Sequence, residues 1–365
     1  KAGAHMGQVY GWERPLYFGK TSEPVLKFTR PDWFENVAKE VRAAHEAAAI
    51  FDASPFGKID VTGPDAEAFM LKTCAGYMGR APGSVIYSAV LNDRGTFESD
   101  ITVQRIADDC YRLFVGTNTI KRDLTWFTRA SDGFDVNLKD VTEDWAVLGL
   151  MGPKAANIAR ELDGNLDDIA YFKHAESTLA GIPVRAARLS YVGEAGWEIS
   201  CKSSNATVLY AAMIKLGARP AGLFAQTSMR VEKGFCAMGH ELDSDINPVE
   251  CGLDFATRNK GGFTGADALE KCRAASAVSK VVSLTLDDEQ ANLIGHEPIY
   301  LDGKIIGQIT TWAFGYRVGK PIALGHVSTR VENGATVQVD IAHEKFTATV
   351  TLGPLFDASG TRMKT

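Results

Sequence analysis

The sequence lacks the paired cysteine spacing that marks zinc sites and disulfide-rich secreted domains. None of the six cysteines spread through its 365 residues belongs to a CxxC pair: Cys74, Cys110, Cys201, Cys236, Cys251 and Cys272. It also lacks an apolar run long enough to span a membrane, and it has no signal-peptide pattern. We therefore predict reduced thiols in a soluble, cytoplasmic protein without a membrane partner.

Signatures of common catalytic and nucleotide-binding folds are missing as well. No GxGxxG follows a predicted strand, and no GxxxxGK[ST] loop, GxSxG elbow or HExxH helix occurs. The seven histidines lie far apart, so we predict no metal site. The net charge of -6 argues against a nucleic-acid surface. Because the chain begins at Lys1, either a cloning remnant precedes Met6 or the chain is a piece of a longer protein.

The order of helical and strand patterns predicts an α+β fold. Apolar residues recur at helical spacing from Trp33 to Ile50, which predicts an amphipathic helix. Short strands and short helices then alternate without regular βαβ units. From residue 280 to 349 nearly all residues fit short strands joined by turns. We predict one domain over residues 1–276 and a small β-barrel domain over residues 277–365.

The stretch from Val85 to Gln104 predicts a β-hairpin with an acidic residue in its second strand. Asn92 to Gly95 supplies the turn, and Asp100 lies among β-branched, apolar neighbours. A carboxylate at such a position points to solvent, to a cation or into a functional site. The strand pattern alone favours a solvent-facing Asp.

A second stretch, from Leu189 to Ser200, contains two glycines that permit a sharp turn, Gly193 and Gly196. Around this turn lie Tyr191, Trp197 and Glu198. An aromatic ring beside a carboxylate suits a flat heterocycle with adjacent N–H donors, such as the edge of a pterin. A plain turn with core aromatics accounts for the same residues, so both interpretations stay open at this point.

Taken together, the two stretches resemble the folate-binding aminomethyltransferase family, which comprises the T-protein of the glycine cleavage system and its relatives. The family's motifs stand here as Tyr87-Ser88-Ala89-Val90-Leu91-Asn92 with Asp100, and as Tyr191-Val192-Gly193-Glu194-Ala195-Gly196-Trp197-Glu198. Further motifs resemble the C-terminal half of dimethylglycine and sarcosine dehydrogenases, among them Gly11-Trp12-Glu13-Arg14-Pro15 and Gly239-His240-Glu241-Leu242. Where the glycine-cleavage branch has an Arg, this chain has Gln226.

The resemblance implies a fold of three subdomains, two within residues 1–276 and a C-terminal β-barrel, with tetrahydrofolate in a central channel. It implies that Asp100 is the catalytic acid/base group. The folate-contacting positions that it implies are Tyr87, Thr102, Tyr191, Trp197, Glu198, Ser54 and Pro55. Basic residues that could bind the glutamate tail of folate are Arg230, Lys233 and Arg317.

The activity expected from the resemblance is tetrahydrofolate-dependent one-carbon transfer from a methylated amine of the dimethylglycine or sarcosine type. The product would be methylene- or methyl-tetrahydrofolate. FAD is expected only in a separate or upstream flavin half, a dehydrogenase or oxidase partner. Two alternatives stay open. One is a stand-alone folate-dependent demethylase of a sulfonium or O-methyl compound, and the other is a non-catalytic folate-binding module.

Overall fold

A computed structural model describes residues 2–19, 27, 30–275 and 277–365. Its helices are α1 (Phe34–Glu46), α2 (Ala66–Thr73), α3 (Ile120–Ala130), α4 (Ala155–Glu161), α5 (Ala206–Lys215), α6 (Leu223–Glu232), α7 (Ala266–Ala274) and α8 (Thr361–Lys364). Its strands are β1 (Ala4–Val9), β2 (Trp12–Phe18), β3 (Ala49–Asp52), β4 (Gly57–Thr62), β5 (Val85–Leu91), β6 (Phe97–Ala107), β7 (Cys110–Val115), β8 (Asn137–Asp140), β9 (Trp145–Met151), β10 (His174–Leu179), β11 (Ile182–Ala187), β12 (Gly196–Lys202), β13 (Arg219–Ala221), β14 (Ser279–Leu286), β15 (Pro298–Leu301), β16 (Lys304–Gly315), β17 (Lys320–Ser328), β18 (Thr336–Ile341) and β19 (Glu344–Thr351).

Two sheets and a barrel contain most of these strands. One sheet has the order β5-β6-β7-β4-β8, and the other has the order β10-β11-β12-β9-β3-β13. The C-terminal strands close a barrel in the order β14-β17-β16-β15-β18-β19, and β1 and β2 form a separate hairpin. The helices packed on these strands and the closed barrel confirm the predicted α+β fold with a C-terminal β-barrel. The domain boundary at residue 277 stays a prediction, and the neighbouring Ser276 lies outside the described residues.

The predicted helix from Trp33 to Ile50 is too long at its C-terminal end. Helix α1 stops at Glu46, and the next residues form β3, which pairs with β9 and β13. Ile50 is 1% exposed within this sheet. The prediction was wrong here because sheet pairing and burial outweigh a helical spacing of apolar residues.

One face of strand β6 packs against an apolar core, and the opposite face bears Asp100. Ile101 and Val103 are buried with the apolar side chains of α2 and α3. Successive strand residues alternate between faces, so Asp100 and Thr102 point the other way. Full burial of each large apolar side chain stabilises the fold by roughly 1.5–3 kcal/mol. The core side of β6 therefore sets the register that turns Asp100 away from the core.

A buried carboxylate, that of Glu241, joins α6 to the barrel. It accepts hydrogen bonds from Nη1 of Arg230 at 2.9 Å and from the hydroxyls of Thr310 and Thr311 at 2.7 and 2.6 Å. Burial opposes the charge of Glu241, but the Arg230 guanidinium and these hydrogen bonds outweigh that effect and lower its pKa. This ion pair therefore depends on both partners keeping their charges.

We predict that Glu241→Gln lowers the free energy of unfolding by about 3–5 kcal/mol, because it leaves the Arg230 guanidinium buried without an opposite charge. Urea unfolding near pH 7 measures the loss, with the exposed Glu344→Gln as a control. Since the folded-state pKa of Glu241 is lowered, the contribution is complete above the ordinary glutamate pKa of about 4.3 and fades as pH falls below it. A loss that is the same at pH 7 and at pH 3 would contradict this account.

Candidate active site

A cavity of about 1030 Å³ lies where the two sheets and the barrel meet. We call it the central cavity. Its wall includes Asp100 from β6, Glu198 from β12, Arg230 from α6 and Ser283 from β14. Ligand pockets in proteins typically measure about 300–1,000 Å³, so the central cavity has room for a cofactor-sized molecule.

Asp100 faces the central cavity beside Tyr87 of the neighbouring strand. The Tyr87 hydroxyl donates a hydrogen bond of 3.0 Å to Oδ2 of Asp100. Burial raises the pKa of Asp100 to about 6, although the hydrogen bond from Tyr87 counteracts part of this rise. The nearby Asp123 carboxylate raises it further. Asp100 is therefore ionised at neutral pH yet able to accept and return a proton close to that pH.

Tyr87 is the donor that orients the Asp100 carboxylate. Burial and the charge of Asp100 raise the pKa of Tyr87 well above its usual value, so its hydroxyl keeps its proton. The ring of Phe255 lies 5.9 Å from the Tyr87 ring, centroid to centroid. Thr102 is the cross-strand partner of Tyr87 and also lines the central cavity.

Glu198 brings a second carboxylate to the central cavity. Burial raises its pKa to about 7, and within the described part of the chain no hydrogen bond or ion pair engages its oxygens. A buried carboxylate without a donor is unfavourable, because its lost hydration is not replaced. Glu198 is thus a strong acceptor turned toward the cavity, and a ligand with N–H donors would satisfy it.

Tyr191 lies on the turn that precedes β12 and, like Glu198, lines the central cavity. Its hydroxyl donates to the carbonyl oxygen of Cys236 at 3.2 Å, and its ring stacks on Phe235 at 6.0 Å. Gly193 turns the chain here with a φ of +78°, where a side chain would collide with the stem of Lys233. The turn therefore carries an aromatic wall and an acceptor on one side of the cavity.

Two family models match this chain. The model "GCVT N-terminal domain" matches residues 1–261, and the model "Glycine cleavage T-protein C-terminal barrel domain" matches residues 280–357. The chain belongs to the glycine cleavage T-protein family. This membership agrees with the resemblance of the hairpin and turn motifs.

Curated relatives and solved structures extend this similarity. This chain is 31% identical to dimethylglycine dehydrogenase of Rattus norvegicus, over 98% of its own length and 44% of the dehydrogenase. It is 30% identical to the aminomethyltransferase of Thermotoga maritima, over 91% of its own length and 88% of that protein. The glycine cleavage system aminomethyltransferase T from Bartonella henselae has the same fold, with a TM-score of 0.87 at 24% identity, covering 98% and 95% of the two chains. The chain thus spans less than half the length of the dehydrogenase.

Trp197 does not line the central cavity. Trp197 is 4% exposed and packs in the core of the six-stranded sheet with Ile199. It precedes Glu198 directly in β12, so the two side chains point to opposite faces. The structure therefore gives Trp197 a core position, and its role as a folate contact stays a prediction.

Ser54 and Pro55 also lie away from the lining of the central cavity. The Ser54 hydroxyl accepts a hydrogen bond from the backbone N–H of Val147 at 3.1 Å, and Pro55 is buried. The next residue, Phe56, does line the cavity. The folate-contact roles of Ser54 and Pro55 stay predictions, and the side chain of this turn that reaches the cavity is one or two positions further along.

The three basic candidates for the glutamate tail are already engaged in ion pairs. Arg317 contacts Glu232 and Glu194 and does not line the central cavity. Arg230 and Lys233 do line it, but Arg230 pairs with Glu241 and Lys233 with Asp357. Each of these three cations therefore already has a carboxylate partner among the described residues.

Sequence reasoning missed several residues of the cavity wall. Arg14, Gln226 and His240 line the central cavity, together with Phe255. Arg14 belongs to a motif that resembles the dehydrogenases, and Gln226 replaces the Arg of the glycine-cleavage branch. Both positions could therefore have been named as candidates from the sequence. No group of three or more metal-ligating side chains occurs in the part of the chain that the structure describes. No described helix has the length and apolar character needed to cross a membrane.

We predict that Glu198→Gln stabilises the ligand-free protein at high pH only. The pKa of Glu198 is about 7 in the folded chain and about 4.3 when unfolded, so the folded state binds more protons between these values. Wild-type stability therefore falls as pH rises from about 4 to 7, and the substitution removes this fall. Urea unfolding should show a gain of about 1–3 kcal/mol for the variant at pH 8 and none at pH 4. If the difference in unfolding free energy between wild type and Glu198→Gln is the same at pH 4 and pH 8, desolvation does not raise the pKa of Glu198.

Proposed function

We propose that this chain binds tetrahydrofolate in the central cavity and transfers a one-carbon unit to it from a methylated amine. One observation carries the proposal. Asp100 and Glu198, neither of them in an ion pair among the described residues, line the same cavity and have pKa values near neutrality. Family membership supports a folate-dependent enzyme, since one of its relatives is named an aminomethyltransferase.

In this proposal Glu198 and Tyr191 bind the pterin ring. A pterin edge presents adjacent N–H donors, and the unpartnered carboxylate of Glu198 can accept two of them. The aromatic ring of Tyr191, on the wall of the same cavity, supplies a flat apolar surface. The cavity residues therefore fit the group, because the adjacent N–H donors of the pterin would meet the Glu198 carboxylate, which has no other partner among the described residues.

Asp100 is the proposed acid/base residue. Tetrahydrofolate supplies a nitrogen that accepts the one-carbon unit, and this nitrogen must lose a proton. An ionised Asp100, oriented by the Tyr87 hydroxyl at 3.0 Å, can accept that proton. General-base catalysis of this kind contributes typically about 10²–10⁴-fold to a rate. Enclosure of the site among apolar walls also limits the access of water to a reactive one-carbon unit.

The methyl donor of this proposal is an amine of the dimethylglycine or sarcosine type. The dehydrogenase relative is named for dimethylglycine, and the chain corresponds to 44% of it. Oxidation of the donor would then need FAD in another half or subunit, for which the described chain provides no assigned site. A non-catalytic folate-binding module is the competing proposal, and Asp100 separates the two, since binding alone does not need a proton acceptor.

We predict that tetrahydrofolate binds the wild-type chain in the micromolar range and binds Glu198→Gln at least tenfold more weakly. The reason is the loss of charge-assisted hydrogen bonds, each contributing about 1.5–3 kcal/mol. Calorimetric titration measures both, with the exposed Glu289→Gln as the matched control. Absence of binding to the folded wild-type protein would refute the proposed function.

We predict that Asp100→Asn keeps tetrahydrofolate affinity within a few-fold and lowers the transfer rate by about 10²–10⁴-fold. The assay follows the loss of tetrahydrofolate while a flavin-dependent oxidase oxidises N,N-dimethylglycine in the same solution. The wild-type rate should rise with pH through about 6, where Asp100 ionises, and this limb should vanish in the variant. The exposed Asp109→Asn is the control, and an equal loss of binding and transfer in folded Asp100→Asn would speak for the non-catalytic module.

A further inference from the structure

Arg14 is a buried cation on the wall of the central cavity. It lies in β2, and it is 7% exposed. Its neighbours along this part of the wall include Tyr10, which follows β1, and Gln226 of α6. The N-terminal hairpin thus contributes a guanidinium to a cavity whose other walls come from the sheets and the barrel.

The guanidinium of Arg14 has little to compensate its burial. Nη2 donates one hydrogen bond, of 3.2 Å, to the backbone oxygen of Asp52. Nε is buried and has no partner, and among the described residues no carboxylate forms an ion pair with Arg14. Burial lowers the pKa of Arg14, although the charge of Asp52 acts in the opposite direction. The Asp52 carboxylate itself accepts from the backbone N–H of Ser54 at 2.9 Å.

The other buried arginines of the described chain differ from Arg14 in this respect. Arg105 lies 2.6 Å from Glu67, Arg112 lies 2.7 Å from Asp60, and Arg230 lies 2.9 Å from Glu241. A buried charge is generally tolerated when it is paired and hydrogen-bonded, so these three are complete within the protein. Arg14 is the exception: it has no carboxylate partner among the described residues, and its side chain lines a cavity that is large enough to hold a ligand.

We propose that Arg14 binds a carboxylate group of a ligand in the central cavity. Nε and Nη1 have no hydrogen-bond partner among the described residues, and the planar fork of donors on a guanidinium matches the two oxygens of a carboxylate. This inference rests on the proposed function for the identity of the ligand. Two ligands of that reaction carry the group: the glutamate tail of tetrahydrofolate, and the carboxylate of a methylated amino acid such as dimethylglycine.

The test compares three probes on Arg14→Met, Arg14→Lys and the exposed control Arg129→Met. Tetrahydrofolate carries the glutamate tail, 6-methyltetrahydropterin has the same pterin without any carboxylate, and N,N-dimethylglycine has the carboxylate without the pterin. Calorimetric titration gives the affinity of each probe, and thermal unfolding of the ligand-free proteins reports on folding. Arg14→Lys keeps the positive charge but not the planar pair of donors.

We expect Arg14→Met to weaken one carboxylate-bearing probe by about 10- to 100-fold and to leave 6-methyltetrahydropterin within twofold. A loss of tetrahydrofolate affinity would show that Arg14 binds the glutamate tail. A loss of dimethylglycine affinity would show that Arg14 binds the carboxylate of the methyl donor. Arg14→Lys should lie between wild type and Arg14→Met. The unfolding temperature of ligand-free Arg14→Met should equal or exceed that of wild type, since a buried charge without a carboxylate partner is removed.

Two results would overturn the inference. One is wild-type affinity of Arg14→Met for both carboxylate-bearing probes. The other is an equal loss for 6-methyltetrahydropterin together with a lowered unfolding temperature, which would make Arg14 a structural residue. If wild-type protein binds neither pterin probe, the proposed function fails separately. In that case the dimethylglycine titration alone tests Arg14. The inference then requires that wild-type protein binds N,N-dimethylglycine and that Arg14→Met weakens this binding.

Discussion

The alternation of side chains along two strands determines what the central cavity presents. One face of β6 and one face of β12 are held in dry cores, so the residues between must point the other way. Asp100 and Glu198 reach the cavity for this reason, and Trp197 does not. A shift of one residue in either strand would exchange the two sets. Core packing and the chemistry of the cavity therefore depend on the same strand pairing.

Carboxylates in this fold fall into two electrostatic groups. Glu241 and Glu194 are almost fully buried, and arginines lie 2.9 and 2.8 Å from them, which joins distant segments around the cavity. Asp100 and Glu198 form no ion pair with the described residues, and burial is the largest influence on both and raises their pKa values, although the Tyr87 hydroxyl and the charge of Arg122 counteract part of the rise at Asp100. Desolvation therefore raises the pKa values of the two cavity carboxylates, whereas at Glu241 the Arg230 guanidinium and hydrogen bonds outweigh desolvation and lower the pKa.

Local sequence patterns located much of the fold. The hairpin predicted from Val85 to Gln104 corresponds to β5 and β6, which pair with each other on either side of the predicted turn. The end of α1 could not be predicted, because pairing with β9 and β13 decides it. Within the candidate site, the two motifs pointed to Asp100 and Glu198, both of which line the central cavity, and their roles toward folate stay predictions. The burial of Arg14 near Asp52 and the bonds from Glu241 to Thr310 could not be read from the sequence, since they join residues far apart in the chain.

Gly196, the first residue of β12, shows where part of the site is specified. A Cβ atom at this position would lie 2.1 Å from the carbonyl oxygen of Leu150 in β9, a separation that real structures do not tolerate. The close approach of the two backbones at this point fixes the path of the chain into Glu198. Gly196 therefore influences the position of a cavity-lining carboxylate although it has no side chain and does not itself line the central cavity. A survey limited to cavity-lining side chains would overlook it, and a substitution there would mimic a binding defect although its origin is a collision between two backbones.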